Sequence, residues 1–166
     1  RFTAVHATWL SEDDIDLLRA AGATVCLCPS TEGDLGDGVP QTGALHRAGV
    51  PLCIGSDSHV MIDPFTELRM AEYQARAALE QRCVLTDPSG AVAPALRALG
   101  SQNGYRALGL SAHGDQVTLR QDARALELGG APEEIAMLSA HPGLIDEVRV
   151  NGALVVRGGR HVGASS

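Results

Sequence analysis

Three short stretches carry side chains that could do chemistry, and each follows an apolar run. "FTAVHATWL" delivers His6 and Thr8. "TVCLCPSTE" delivers Cys28, Ser30, Thr31 and Glu32, and "VPLCIGSDSHV" delivers Ser56, Asp57, Ser58 and His59. A carboxylate such as Asp57 can bind a divalent metal and take a proton from water activated there. An imidazole such as His6 can act as metal ligand, electrophile or base. His59 follows Asp57 by two residues and would share its face in an extended segment. Cys26 and Cys28 form a C-x-C on one strand, which points both thiols the same way. Without partners at metal-binding spacing, they read as strand packing. The loop "DLGDG" lacks the acidic register and the later Glu of a calcium loop, and its glycines suit close folding over a ligand.

The elements that must hold these groups follow from periodicity. "FTAVHA" (2–7), "TVCLC" (24–28) and "VPLCIGS" (50–56) are continuous apolar runs, as expected of parallel strands covered on both faces. Between them, "SEDDIDLLRAAG" (11–22) is a helix with Ser11 as N-cap and Asp14 completing a capping box. "PQTGALHRAG" (40–49) is a second helix, and "STEGDLGDG" (30–38) reads as a glycine-rich loop. A long helix over 63–82 starts with Asp63 as N-cap and Pro64 at the first position. Its Arg69, Arg76 and Arg82 read as a solvated face beside Glu67, Glu72 and Glu80. Residues 91–108 form a helix broken near Gly100. Strands alternating with helices predict a parallel α/β sheet, whose strand ends at the carboxyl side carry function. Beyond Gly109 the pattern turns to β: 115–120, 147–152 and 153–163, the last two joined at Asn151-Gly152, with a short helix in "GAPEEIAML". The expected division is an α/β part over 1–109 and a small, mainly β part over 110–166.

The 166 residues are 45% hydrophobic and 20% charged, with a net charge of −7, 13 Arg and no Lys. This suits a soluble globular chain and disfavours nucleic acid or an anionic membrane as partner. It also rules out a Schiff-base or P-loop lysine in this chain. No apolar stretch reaches the ~20 residues of a membrane span. Cys26, Cys28, Cys53 and Cys83 read as reduced, buried thiols of a cytoplasmic protein. His46, His113, His141 and His161 read as surface residues. The opening "RFTAVHATWL", which enters a strand pattern directly and has no initiator Met, is expected to be the start of the C-terminal part of a longer polypeptide.

Together, "VHATWL", "CLCPSTEGDLGDG" and "IGSDSHV…DPFTELRMAEY" resemble the amidohydrolase superfamily of metal-dependent hydrolases, and within it the N-formimidoyl-L-glutamate deiminases of histidine degradation. The resemblance implies the C-terminal part of a (β/α)8 barrel, strands six to eight, followed by a share of a small β-sandwich. It implies a divalent metal, zinc above all, with Asp57 as ligand and proton shuttle and His6 as the catalytic histidine that polarises the group attacked. Ser58, His59 and Glu32 match positions around the metal ligand or substrate. Implied partners are a small-molecule substrate, the upstream part of the same protein and a second copy in a homodimer. The family's His-x-His pair and its further histidine and glutamate would lie upstream of Arg1, so the isolated chain is expected to bind zinc weakly and turn over nothing. Trp9 stands where the family usually has histidine, and "TEGD" where it has "TEAN". Two alternatives stay open: an aminohydrolase of a purine or related amidine, and a non-catalytic fragment or degenerate subunit.

Overall fold

The computed structural model describes residues 2–111, 114–120 and 131–163; His113 lies outside them. Strands β1 (Thr3–Val5), β2 (Thr24–Leu27) and β3 (Leu52–Ile54) form a parallel sheet in that order. Cys26 is the link in its register, opposite Val5 on one side and Cys53 on the other. Helices α1 (Glu12–Ala20), α2 (Pro29–Leu35) and α3 (Thr42–Arg47) supply the crossovers, followed by α4 (Pro64–Leu79), α5 (Val92–Leu99) and α6 (Gln102–Leu108). The α/β expectation holds. Beyond it, β4 (Gln116–Leu119), β5 (Ile145–Val150), β6 (Ala153–Arg157) and β7 (Arg160–His161) form an antiparallel sheet in chain order. Between β4 and β5 lies α7 (Pro132–Ser139), which packs on α4 and α5. Asn151, at φ 50, and Gly152, at φ 78, make the β5–β6 turn, as a two-residue hairpin with both residues left-handed requires.

Local chemistry explains where the elements begin. The Ser11 hydroxyl accepts from the Asp14 amide (3.2 Å) and the Asp14 carboxylate accepts from the Ser11 amide (2.8 Å), closing the capping box. The Ser11 hydroxyl, which donates to the Asp14 carboxylate (2.7 Å), and then the Ser11 amide hold the Asp14 carboxyl below its ordinary range. Asp63 accepts from the amides of Phe65 (3.0 Å) and Thr66 (3.2 Å) ahead of Pro64. The core gathers Val25, Leu27 and Leu52 from the sheet with Leu45, Leu85 and Leu96, none more than 2% exposed. Leu96→Ala is expected to lower the unfolding free energy by about 2–5 kcal/mol, read from the denaturant midpoint, because the truncated site is closed on all sides.

Several expectations are corrected. Residues 30–38 are not all loop: Pro29–Leu35 is helical. Pro29 pre-sets the first turn, the buried Glu32 side chain accepts from the Cys28 amide (2.8 Å), and Gly36, at φ 68, closes the end. The polar, glycine-containing composition hides a short helix that tertiary contacts stabilise. Glu67 and Glu72 are not on a solvated face but are 1% and 0% exposed. Glu67 accepts from the Ser30 amide (3.0 Å) and the Ser30 hydroxyl. Glu72 accepts from the amides of Val84 (3.1 Å) and Leu85 (2.7 Å) and from Arg76 Nε (2.7 Å). Arg69 donates to the Ala140 carbonyl (2.5 Å), fastening the end of α7. The partly buried His46 is likewise tied down, its Nε2 2.8 Å from the Thr86 carbonyl oxygen. Cys26 is half-buried and Cys83 is exposed, not buried.

Candidate active site

The three parallel strands end side by side, and each ends in a backbone device that turns a side chain over the rim. At β1 the His6 amide donates to the Cys26 carbonyl (2.9 Å), and the Ala7 amide donates back to the Val5 carbonyl (2.8 Å). His6, at φ 64, is therefore the centre of a γ-turn of the rare positive-φ kind. At β3 the Gly55 amide donates to the Leu27 carbonyl (2.9 Å), and Asp57 follows at φ 44. Asp and His tolerate this left-handed region better than most residues, yet two of them, at the ends of the strands on either side of β2, mark stored strain. A Cβ on Gly55 would stand 3.3 Å from Cys26 Sγ and 3.4 Å from Cys28 Sγ, so the two sulfurs fill the space a side chain would need.

These turns bring sequence-distant groups together. His6 Nε2 lies 3.6 Å from an Asp57 carboxylate oxygen, with 33% and 45% of the two side chains exposed. On the other side of the ring, His6 Nδ1 lies 3.3 Å from Glu32 Oε1, the same oxygen that accepts from the Cys28 amide. Glu32 is fully buried, and its Oε2 has no hydrogen-bond partner among the described residues. Burial raises the Glu32 carboxyl above its ordinary range, against the opposing pull of the Cys28 amide and His6. Ser58 is tied to α2, its amide donating to Thr31 Oγ1 (3.2 Å) with the two hydroxyls 3.0 Å apart. His59 is exposed and stands apart from the central group.

That group is His6, Cys28 and Asp57, which each offer a donor atom within 4.8 Å of the others. Cys28 is buried, 2% exposed, as strand packing predicts, and its sulfur also faces His6 and Asp57, which the sequence reading did not anticipate. Cys28 is the last residue before Pro29 at the end of the middle strand, directly between the strand ends that carry His6 and Asp57. Cys26 is lowered by S–H donation from Cys28 and then Cys53. Cys28 is pushed up, first as donor to Cys26, then by burial, then by the charges of Cys26, Glu32 and Asp57. Imidazole nitrogen, thiol sulfur and carboxylate oxygen are the three donor types that zinc takes, and a bound cation would strip the thiol proton. The donor set thus fits a divalent metal of borderline softness.

Comparison with known proteins assigns the chain to a family. Residues 1–155 match the model of the amidohydrolase family, and the chain belongs to that family. It is 34% identical over 98% of its length to formimidoylglutamate deiminase of Pseudomonas aeruginosa. It is 30% identical over 94% to 5-methylthioadenosine/S-adenosylhomocysteine deaminase of Pyrococcus abyssi. The chain spans 38% of the length of each of these relatives. Among solved structures, an amidohydrolase from Brucella melitensis superposes with a TM-score of 0.83 at 32% identity, covering 96% of this chain and 37% of that one. An adenosine deaminase from Xanthomonas campestris with bound zinc superposes at 0.89 and 25% identity, covering 99% and 39%. Among the described residues no helix is long and apolar enough to cross a membrane.

Proposed function

We propose that this chain is the C-terminal part of a metal-dependent deiminase that hydrolyses the C–N bond of N-formimidoyl-L-glutamate, releasing ammonia and N-formyl-L-glutamate. The observation that carries the reading is the convergence of His6, Cys28 and Asp57 at three consecutive parallel strand ends. In this reading β1, β2 and β3 are the last three strands of a (β/α)8 barrel, and β4–β7 are one share of a β-sandwich. Asp57 would hold the metal, zinc by the donor types and by the zinc-bound relative, with His6 and Cys28 able to contribute donors beside it. When bound, the metal supplies Lewis-acid activation of water near neutral pH. Asp57 takes the proton of the attacking water and returns it to the departing ammonia nitrogen. His6 Nε2, 3.6 Å from the same carboxylate, faces the same point and accepts from the amidine N–H, orienting the group attacked. Ser58, anchored to Thr31, fixes the segment that carries Asp57.

A second reading, deamination of a purine nucleoside, is favoured by the Pyrococcus relative and by Trp9. The Trp9 ring is 86% exposed three residues after His6 and lies against the Gly38 position, where a Cβ would be 3.4 Å from Cζ2. Such a ring offers a stacking surface for a planar base. The two readings separate in one assay: ammonia release by the full-length protein from formimidoylglutamate and from a panel of adenosine derivatives. Turnover of formimidoylglutamate with kcat/KM at least about tenfold above every nucleoside is expected, a margin of about 1.4 kcal/mol in transition-state binding. A preference for nucleosides would reject the first reading in favour of the second.

A further inference from the structure

We propose that Glu32 is the positioning residue that fixes the proton of neutral His6 on Nδ1, so that Nε2 presents its lone pair to the reaction centre. The inference rests on the deiminase reading for what His6 does, but not for how His6 is held. Glu32 Oε1 lies 3.3 Å from His6 Nδ1 and accepts from the Cys28 amide at 2.8 Å. A carboxylate oxygen can only accept, so the ring nitrogen facing it must be the one that carries hydrogen. The other ring nitrogen faces an Asp57 carboxylate oxygen at 3.6 Å, beyond hydrogen-bond distance, so of the two carboxylates it is Glu32 that bonds the ring. Without a partner, neutral imidazole favours the opposite tautomer, with the proton on Nε2, which would present an N–H where an acceptor is needed.

The surroundings make Glu32 suited to this and to little else. It is 0% exposed, so no ligand reaches it directly, and among the described residues its carboxylate hydrogen-bonds the Cys28 amide and the His6 ring. It stands in the first turn of α2, whose start is pinned from behind by Glu67 on Ser30. One buried carboxylate thereby locks the end of β1 to the end of β2. Residues that orient a catalytic or metal-binding histidine through its second nitrogen typically change activity or affinity by about 10- to 100-fold when removed.

The test uses the full-length protein labelled with nitrogen-15 in histidine, with His6 assigned by the signals lost in His6→Gln. Long-range proton–nitrogen spectra distinguish the two tautomers directly. The Nδ1–H form is expected in the wild type and in Glu32→Gln, whose amide oxygen still accepts. In Glu32→Met it is expected to give way to the Nε2–H form, with kcat reduced by about 10- to 100-fold, KM changed by less than about threefold, and activity largely restored in Glu32→Gln. An Nε2–H ring in the wild type overturns the proposal, as does an unchanged tautomer in Glu32→Met. Should Glu32→Met fail to fold, the wild-type spectrum alone decides. The spectra need no substrate, so loss of the deiminase reading and loss of this inference are separate results.

Discussion

Asp57→Asn in the full-length protein is expected to reduce ammonia release by about 10²–10⁴-fold, the contribution of a positioned acid–base group. Asn has nearly the same shape and adopts positive φ as readily as Asp, so the turn at φ 44 survives. The folding free energy should therefore stay within about 0.5 kcal/mol of wild type. Asn lacks the basic oxygen that takes a proton and is a poorer metal donor. Asp57→Ala is the informative companion, because it should lose activity equally while also losing stability through a strained left-handed alanine, about 1 kcal/mol. Turnover is measured as ammonia release and stability as the urea midpoint. Retained release in a folded, metal-loaded Asp57→Asn protein would remove Asp57 from the chemistry.

The largest expected effect on stability belongs to Glu72. Its carboxylate is fully buried and satisfies the amides of Val84 and Leu85 together with Arg76. Glu72→Leu fills the same volume without an acceptor and strands two buried N–H groups, at about 1–3 kcal/mol each, for a total of about 2–6 kcal/mol. Arg76, still 27% exposed, can turn to water and adds less. Glu72→Gln keeps one acceptor and should fall between Leu and wild type. Glu80→Gln, on the exposed end of the same helix, should move the unfolding midpoint by less than about 0.5 kcal/mol equivalent. Equal effects at positions 72 and 80 would mean that the two acids share one environment, contrary to the burial described.

What was legible in the sequence follows from what local rules can encode. Ser11 with Asp14, Asp63 with Pro64 and Asn151 with Gly152 are short-range chemistry, and all three act as their spacing indicates. The parallel sheet was legible because continuous apolar runs alternate with helices. Glu67 and Glu72 were not, since helical spacing next to Arg76 is equally compatible with a salt-bridged surface and with a buried carboxylate. Only the partners at Ser30 and at Val84 and Leu85, 37, 12 and 13 residues away along the chain, separate the two cases. The burial of Cys28 was legible, but what its sulfur faces was not, for a similar reason. Its environment is composed by two other strand ends, and a thiol in an apolar run carries no mark of what faces it. His6, Asp57 and Glu32 were legible as residue types at strand ends, whereas the tie from Glu32 to His6 needed α2 to be a helix.

The γ-turn at His6 sets a limit on portability. The turn depends on the Cys26 carbonyl of the neighbouring strand, which receives the His6 amide, as well as on the bond from Ala7 to Val5. The orientation of this imidazole is thus encoded by two strands jointly, and residues 2–8 grafted onto another scaffold would carry the histidine without its aim. Any transplant of the rim has to move β1 and β2 as one unit, with the start of α2 attached.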